Sequence, residues 1–232
     1  KEKRRQRAVL AEKAWLKARD LAVQQVQKLL ELGIHKQIAN RILEPFMWHT
    51  ILTTATEWSN FFGLRNNPEA DPDIMIPAKL MQEAYEKSTP SFIPIGEWHT
   101  PLINIGVKDE DKQIKDQLGE YGPLKVSIGR CARVSYLTHD GIRDWEKDLE
   151  LYDRLANNGH WSPAEHVATP LDFWNEEHLN VGMVPTRGAS LPSDRVSLYK
   201  KDVWFGNFKN WVQYRKLIPN KFDFTQFLKN EK

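Results

Sequence analysis

The chain has 232 residues, of which 41% are hydrophobic and 28% charged, and its formal net charge is +2. This composition excludes a disordered or collagen-like protein and lacks the general basic character of nucleic-acid-binding proteins. No run approaches the ~18 uncharged apolar residues of a membrane span, and the single cysteine, Cys131, cannot form an internal disulfide. We therefore expect a globular, cytoplasmic protein that binds neither nucleic acid nor membrane.

The N-terminal part of the chain carries helical patterns throughout. Apolar residues recur at helical spacing before Gly33, which occupies the position of a left-handed helix cap, and Pro45 interrupts the next pattern. Four helices are predicted, over Ala8–Leu32, His35–Leu43, Phe46–Leu64 and Ile74–Lys87. The third is long and mostly apolar, so we expect it to be largely buried. Because the first pattern starts at Lys1 without a capping residue, we also expect the chain to begin inside a longer polypeptide.

The C-terminal part has a different pattern of residues. After Pro90 the chain is punctuated by prolines, and the polar residues 108–122 are expected to lie on the surface. Lys125–Tyr136 alternates like a strand, Trp145–Asn157 is patterned as an amphipathic helix, and His166–Phe173 reads as extended chain. These patterns predict an α+β fold in which long helices pack against an antiparallel or mixed sheet. The predicted parts are a helical part (1–90), a linker or surface excursion (91–124) and an α+β part (125–232), expected to form one intertwined domain.

Two arginines are candidates for binding an anion. Arg41 and Arg65 both follow apolar helical stretches and lie close to prolines. A guanidinium stays charged at any working pH and can donate two parallel hydrogen bonds to a phosphate or carboxylate. The alternative is a structural salt bridge to Glu44 or Glu57, which these residues alone leave open.

The segment HWSPAEH, His160–His166, concentrates two imidazoles, a hydroxyl and a carboxylate. A zinc site formed by His160, Glu165 and His166 matches no common ligand spacing, and we predict no metal site. Ser162 lacks the flanking glycines of a serine-hydrolase elbow. A ligand site without metal remains, against the alternative of a loop whose polar groups are satisfied internally.

A third cluster, TTATEWSNFFGLR, spans Thr53–Arg65. Asn60 has aromatic neighbours, and a buried amide costs about 1 to 3 kcal/mol unless it is hydrogen-bonded. We therefore expect Asn60 to meet backbone, water or a ligand. The threonines of the predicted helix can instead bond back to the preceding turn.

Five segments taken together carry a family resemblance. They are His35–Arg65 (ending in TTATEWSNFFGLR), Gly96–Ile103 (GEWHTPLI), Cys131–Gly141 (CARVSYLTHDG), His160–Pro170 (HWSPAEHVATP) and Gly206–Pro219 (GNFKNWVQYRKLIP). In this order they resemble segments of the flavin-dependent thymidylate synthases, the ThyX family, and in particular a circularly permuted group found in phages. In the common order of that family, the helix that ends in LR comes last. The family's flavin-binding signature, RHR-x-x-S-x-N-x-x-S-x-R, is not among these residues and would lie upstream of Lys1.

The resemblance implies a ThyX-like fold and a reaction. The reaction is the reductive methylation of deoxyuridylate (dUMP) to thymidylate (dTMP), with methylene-tetrahydrofolate, FAD and NADPH. It implies that Arg65 grips the uracil and stabilises its ionised form, that Arg41 holds the same nucleotide, and that the subunits form a homo-oligomer, a tetramer in the family. No reactive cysteine is needed on this route.

The resemblance also implies which residues meet the cofactors. Asn60 would face the flavin, His160 and Ser162 would line the flavin and folate side, and Ser135 would lie in the same pocket. Thr54 stands where the family often has an asparagine. The family's AQ-x-EI that follows the LR pair here reads ADPDI, residues 70–74.

Two alternatives stay open at this point. The first is a related pyrimidine hydroxymethylase that uses flavin and folate, with which the departures at Thr54 and Asp71 are compatible. The second is a non-catalytic ThyX-like protein that keeps the fold for ligand binding or assembly. A complete flavoenzyme purifies yellow, whereas a protein of the second kind does not.

Overall fold

In a computed structural model that describes residues 2–104, 108–134, 144–172 and 203–218, the chain divides into two units, Lys1–Thr50 and Ile51–Lys232. The first unit consists of helix α1 (Glu2–Glu31), helix α2 (Lys36–Ala39) and a 3₁₀ helix (Asn40–Phe46). None of the described helices has the length and apolar character needed to cross a membrane.

Helix α1 confirms the first predicted helix and extends it toward the N-terminus. Gly33 has a φ of +79°, and the amide of Ile34 donates to the carbonyl of Leu29 at 3.0 Å, which is the expected left-handed cap. The rings of Trp15 and Phe46 lie 5.0 Å apart. The helix predicted over His35–Leu43 is instead a short α-helix followed by a 3₁₀ helix, with Pro45 inside the 3₁₀ helix.

The second unit holds most of the described secondary structure. Its helices are α3 (Ser59–Arg65), α4 (Pro72–Lys87), α5 (Glu110–Leu118), α6 (Gly122–Arg133), α7 (Trp145–Asn157), a 3₁₀ helix (Ser162–Glu165) and α8 (Tyr214–Leu217). The predictions for α4 and α7 are confirmed. Each begins at an aspartate whose side chain accepts amide hydrogen bonds from the first turn, Asp71 at 2.8 Å and Asp144 at 3.1 and 3.2 Å.

The described strands form two antiparallel pairs, so the α+β prediction holds. Strand β1 (Ala168–Pro170) pairs with β4 (Trp211–Gln213), and β2 (Trp204–Phe205) pairs with β3 (Phe208–Lys209). His99 adds an isolated bridge to Ala168. The extended chain expected over His166–Phe173 is found as β1 in its middle, while Phe173 lies outside the described residues. Within those residues the sheets are only two strands wide, smaller than the sheet body expected from sequence.

The helix predicted over Phe46–Leu64 is wrong. Within it, Phe46 ends the first 3₁₀ helix, Met47–Trp58 has no regular secondary structure, and the α-helix begins only at Ser59. The expected burial is also wrong, because Trp48 is 99% exposed and Ile51 is 79% exposed. Thr54 and Thr56 bond to distant residues rather than to a preceding helical turn, as described below.

The strand predicted over Lys125–Tyr136 is also wrong, because the chain there forms helix α6. The alternation of polar and apolar residues does not correspond to a solvent-exposed face and a buried face, because Val126 to Cys131 are all buried. The polar members find internal partners. Ser127 donates to the carbonyl of Pro101 at 2.7 Å, and Arg130 is bound on two sides by carboxylates.

Arg130 is the centre of a buried ionic network. Its guanidinium donates to both carboxylate oxygens of Glu110 at 3.0 and 2.8 Å, to Asp148 at 3.0 Å and to the carbonyl of Leu102 at 2.9 Å. Burial alone would raise the pKa of Glu110, but hydrogen bonds from Arg130 and Trp145 outweigh it and hold that pKa below its usual value. The network therefore ties α5, α6 and α7 together.

The polar residues 108–122 are not a surface segment throughout. They include α5, in which Glu110 is 1% exposed and Ile114 is fully buried. Ile114 packs with Ile103 and Val126, and Glu110 is neutralised by Arg130. Glu110 was predicted to lie on the surface because its partner, Arg130, is 20 residues away in the sequence. The local sequence therefore gives no sign that its charge is neutralised.

Candidate functional site

A cleft of about 480 Å³ lies in the second unit. About half of its lining comes from the non-helical segment Thr53–Trp58. The other lining residues are Ser91, Ile93, His99, Phe208 and Trp211. This lining offers hydroxyl groups, an imidazole and three aromatic rings, and none of the described lining residues is a lysine, arginine, aspartate or glutamate. The described surface suits an uncharged planar ring with polar edges.

The segment Thr53–Trp58 is held by the turn between β2 and β3. The amide of Thr56 donates to the carbonyl of Asn207 at 3.2 Å, and its hydroxyl accepts from the amide of Lys209 at 2.7 Å. The side-chain amide of Asn207 donates to the carbonyl of Thr54 at 3.4 Å. These bonds replace the helical bonds that the sequence predicts.

Thr54 connects the cleft to the His160–His166 loop. Its hydroxyl lies 3.0 Å from Nδ1 of His166, across 112 residues of sequence. Burial lowers the pKa of His166, partly offset by the charge of Glu165, and burial likewise lowers the pKa of His99. Both imidazoles are therefore neutral at pH 7, and each can donate or accept a hydrogen bond without bringing a charge to the cleft.

The other residues expected at the site do not line this cleft. Arg65 and Asn60 are exposed on α3, and His160 and Ser162 are exposed in or beside the second 3₁₀ helix. Arg41 is exposed in the first unit, in the 3₁₀ helix Asn40–Phe46. Ser135 lies outside the described residues. Of the predicted site residues, the structure thus places Thr54 in the cleft.

The expectation that Asn60 is buried is wrong. Its side chain is exposed on the short helix α3, while Phe61 and Phe62 beside it are half-buried. Trp58 stacks on Phe62 with ring centroids 5.7 Å apart, so the aromatic residues pack among themselves. The side-chain amide of Asn60 therefore stays in solvent, needs no internal hydrogen-bond partner, and is accessible to a ligand.

The structure does not show the salt bridges to Glu44 or Glu57 that were the alternative for the two arginines. Within the part of the chain that the structure describes, neither Arg41 nor Arg65 forms an ion pair, and Glu57 instead lies 3.9 Å from Lys209. Among these residues, neither guanidinium has to leave a partner in order to bind an anion. In the same described part, no three of the His, Cys, Asp and Glu side chains come together in a way that could hold a metal ion.

Three cleft residues, His99, Phe208 and Trp211, were not singled out by the sequence reasoning. Each lies in a segment that carries the resemblance, Gly96–Ile103 or Gly206–Pro219. Membership of these segments was the one sequence signal that could have identified them as site residues. No protein-family model, curated protein or solved structure matches the chain. The site is therefore interpreted from its own residues and from those segments.

Replacing Thr54 by valine should destabilise the protein by about 0.5 to 1.5 kcal/mol, the usual net value of one hydrogen bond. Valine keeps the size and β-branching of threonine but removes the hydroxyl that meets His166. The matched control is Thr53→Val, since Thr53 is exposed and forms no side-chain hydrogen bond with the described residues. Urea denaturation of both variants measures the difference. Equal effects would show that the contact between Thr54 and His166 does not contribute to stability.

Proposed function

We propose that the protein is a flavin-dependent thymidylate synthase that converts dUMP to dTMP in the cytoplasm, as a homo-oligomer. The observation that carries the proposal is that several segments with the family resemblance meet at one cleft. His35–Arg65, Gly96–Ile103 and Gly206–Pro219 supply cleft residues, and His160–Pro170 reaches Thr54 through His166. These four segments are distant in sequence, so their meeting supports reading them as parts of one site.

The residues fit the ligands that such a reaction needs. FAD, with NADPH and methylene-tetrahydrofolate, supplies the hydride and the one-carbon unit. The cleft can receive a planar ring with polar edges, to which Trp58 and Trp211 offer aromatic surface and the threonine hydroxyls offer hydrogen bonds. Among the described residues no cation lines the cleft, so we assign the anionic groups to Arg41 and Arg65, which are exposed and have no ion pair within the same part of the chain.

In this proposal the chain positions and polarises its substrate. Arg65 stabilises the negative charge of the ionised uracil, and Arg41 holds the nucleotide in the ground state. Asn60, His160 and Ser162 present exposed polar groups to the cofactors. The chain has one cysteine, Cys131, which is buried, and burial raises its pKa to about 12. A buried thiol of this kind is not a nucleophile, so a route without a cysteine nucleophile agrees with its environment.

The test is direct. The full-length protein is purified, its flavin is identified from the absorbance spectrum after heat release, and dUMP is supplied with NADPH and methylene-tetrahydrofolate. We expect bound FAD and dTMP as the product. Formation of a hydroxymethylated pyrimidine instead would replace the proposal with the related hydroxymethylase. A colourless protein that binds nucleotide but forms no product would replace it with a non-catalytic binding role.

Arg65→Lys and Arg41→Ala should separate catalysis from binding. Lysine keeps the charge of Arg65 but loses the planar fork, so turnover should fall more than nucleotide affinity does. Arg41→Ala should mainly weaken dUMP binding, by about 1.5 to 3 kcal/mol for a charge-assisted hydrogen bond. Single-turnover flavin oxidation with varied dUMP measures both effects.

Thermal unfolding is the control for this pair. Both arginines are exposed and without ion pairs among the described residues, so each substitution should change stability by no more than about 0.5 kcal/mol. A sharp loss of stability with full activity of the remaining folded protein would mean that the arginines are structural.

A further inference from the structure

His99 lies in the cleft on a segment that strand β1 holds in place. The amide of His99 donates to the carbonyl of Ala168 at 2.7 Å, and the amide of Ala168 donates back to the carbonyl of His99 at 3.4 Å. The hydroxyl of Thr169 donates to the carbonyl of Glu97 at 2.8 Å, which adds a bond to the same segment two residues earlier. The bonds to His99 are made by its backbone, so its side chain takes no part in holding the segment.

The packing of Trp98 directs His99 into the cleft. Trp98 packs against the hydrophobic core, with its ring centroid 5.6 Å from that of Tyr214. Side chains of consecutive residues in an extended chain point to opposite sides. The next residue, His99, therefore points away from this core, and it is found among the residues that line the cleft.

The other polar side chains of the described lining are engaged elsewhere or lie at exposed positions. Three of them already form hydrogen bonds within the chain, namely Thr54, Thr56 and Trp58. Thr53 and Ser91 are exposed to solvent. Neither group can supply a hydrogen bond in the cleft that is both sheltered from water and still uncommitted.

His99 differs from these residues. Its side chain is half-buried, and neither of its ring nitrogens has a hydrogen-bond partner among the described residues. Burial lowers the pKa of His99, so the imidazole is neutral at pH 7 and has one N–H donor and one acceptor nitrogen. The cleft therefore contains a sheltered, uncharged hydrogen-bonding group whose capacity is unused by the described chain.

We propose that His99 determines the specificity of the cleft by hydrogen-bonding the edge of an uncharged heteroaromatic ring that carries N–H and C=O groups. The neutral imidazole can accept from the N–H or donate to the C=O. The faces of such a ring are complementary to the aromatic surfaces of Trp58, Phe208 and Trp211, which also line the cleft. A ring without polar edge groups would leave the imidazole unpaired, so the cleft should reject it.

Rings of this class occur in flavin and in uracil, which both have an N–H between two C=O groups. The choice between them rests on the proposed function, in which Arg65 binds the uracil. Arg65 does not line the cleft, whereas Thr54, which the resemblance assigns to the cofactors, does. We therefore expect the ring in the cleft to be the flavin.

Riboflavin and deoxyuridine are the probes, because each carries one of the two rings without a phosphate. They are titrated into the full-length protein after dialysis against high salt has removed any bound flavin. Quenching of riboflavin fluorescence measures the first affinity, and equilibrium dialysis measures the second. We expect His99→Phe, which keeps a planar ring but removes both nitrogens, to weaken riboflavin binding about 5- to 100-fold. The binding of deoxyuridine should not change.

Two amide variants separate hydrogen bonding from shape. The side-chain amide lies near the position of Nδ1 in His99→Asn and near that of Nε2 in His99→Gln, so one of the two should restore most of the lost affinity. His49→Phe is the matched control, because His49 is exposed in the first unit and is not among the residues that line the cleft. Thermal unfolding verifies that each variant is folded, and all of them keep the backbone bonds at position 99.

The outcomes decide the proposal. It would be overturned if His99→Phe bound both probes as the wild type does, if neither amide variant restored binding, or if the wild type bound neither probe. If His99→Phe weakened the binding of deoxyuridine rather than of riboflavin, the role of His99 would stand and the assignment of the flavin would be wrong.

Failure of this inference and failure of the proposed reaction are distinguishable. A protein that binds riboflavin through His99 but forms no dTMP would refute the reaction and leave the ring site standing. A protein that forms dTMP, and whose affinity for riboflavin is unchanged in His99→Phe, would do the opposite.

Discussion

Replacing the buried Arg130 by methionine should destabilise the second unit by about 3 to 5 kcal/mol, the usual cost of removing one partner from a buried ion pair. Methionine fills a similar volume but removes the guanidinium that binds Glu110 and Asp148, which are 1% and 3% exposed. It also removes the donor to the carbonyl of Leu102. Because a whole domain is stable by only about 5 to 15 kcal/mol, this single change should bring the unit close to unfolding. Urea denaturation followed by circular dichroism measures it.

The matched control is Arg19→Met, the same substitution in an exposed ion pair. Arg19 lies 2.7 Å from Asp20, and both side chains are largely in solvent. An exposed pair contributes only about 0 to 1 kcal/mol, so the control should change stability little. If the two variants lost similar amounts, the Arg130 network would not hold α5, α6 and α7 together.

The second large effect is expected from Gly129→Ala, which should destabilise the protein by about 1 to 3 kcal/mol or more. A Cβ atom at Gly129 would overlap the backbone carbonyl of Asp148, so α6 and α7 would have to separate. The carboxylate of Asp148 also binds Arg130 and Arg133, and separating the helices would stretch those ion pairs. Thermal unfolding of the purified variant measures the loss.

Gly63→Ala is the control, because it is the same substitution within a helix that has open space. No atom lies within 4 Å of a Cβ built at Gly63. Alanine is the better helix former by about 0.5 to 1 kcal/mol, so this variant should be slightly more stable than the wild type. The two substitutions should therefore change the free energy of unfolding in opposite directions. A neutral Gly129→Ala would mean that the close approach of α6 and α7 is not required.

Three helices follow from local sequence signals. Helices α1, α4 and α7 lie where the pattern of apolar residues predicts them. Gly33 ends the first as predicted, and the structure shows that aspartates cap the start of the other two. Each signal acts within one or two turns of the same helix, so no distant residue is needed to recognise it.

The candidate site could be predicted only in part. The resemblance drew attention to the segments that meet at the cleft, and Thr54 was named among the cofactor residues. The association of Thr54 with His166 and of Thr56 with Lys209 spans more than one hundred residues, 112 in the first case and 153 in the second. Nothing in the local pattern of either threonine indicates these partners, and so the segment was predicted as a helix.

The sequence by itself determined the α+β class, the three capped helices and the residue types available for chemistry, because these depend on composition and on neighbours a few positions apart. The tertiary structure alone decided that Lys125–Arg133 is a helix and that the chain from Met47 to Trp58 is not. In both places, polar side chains find distant partners, such as Arg130 with Glu110 and Thr56 with Lys209. A buried or extended polar residue is stable only when its partner is present, and the partner is brought there by the fold.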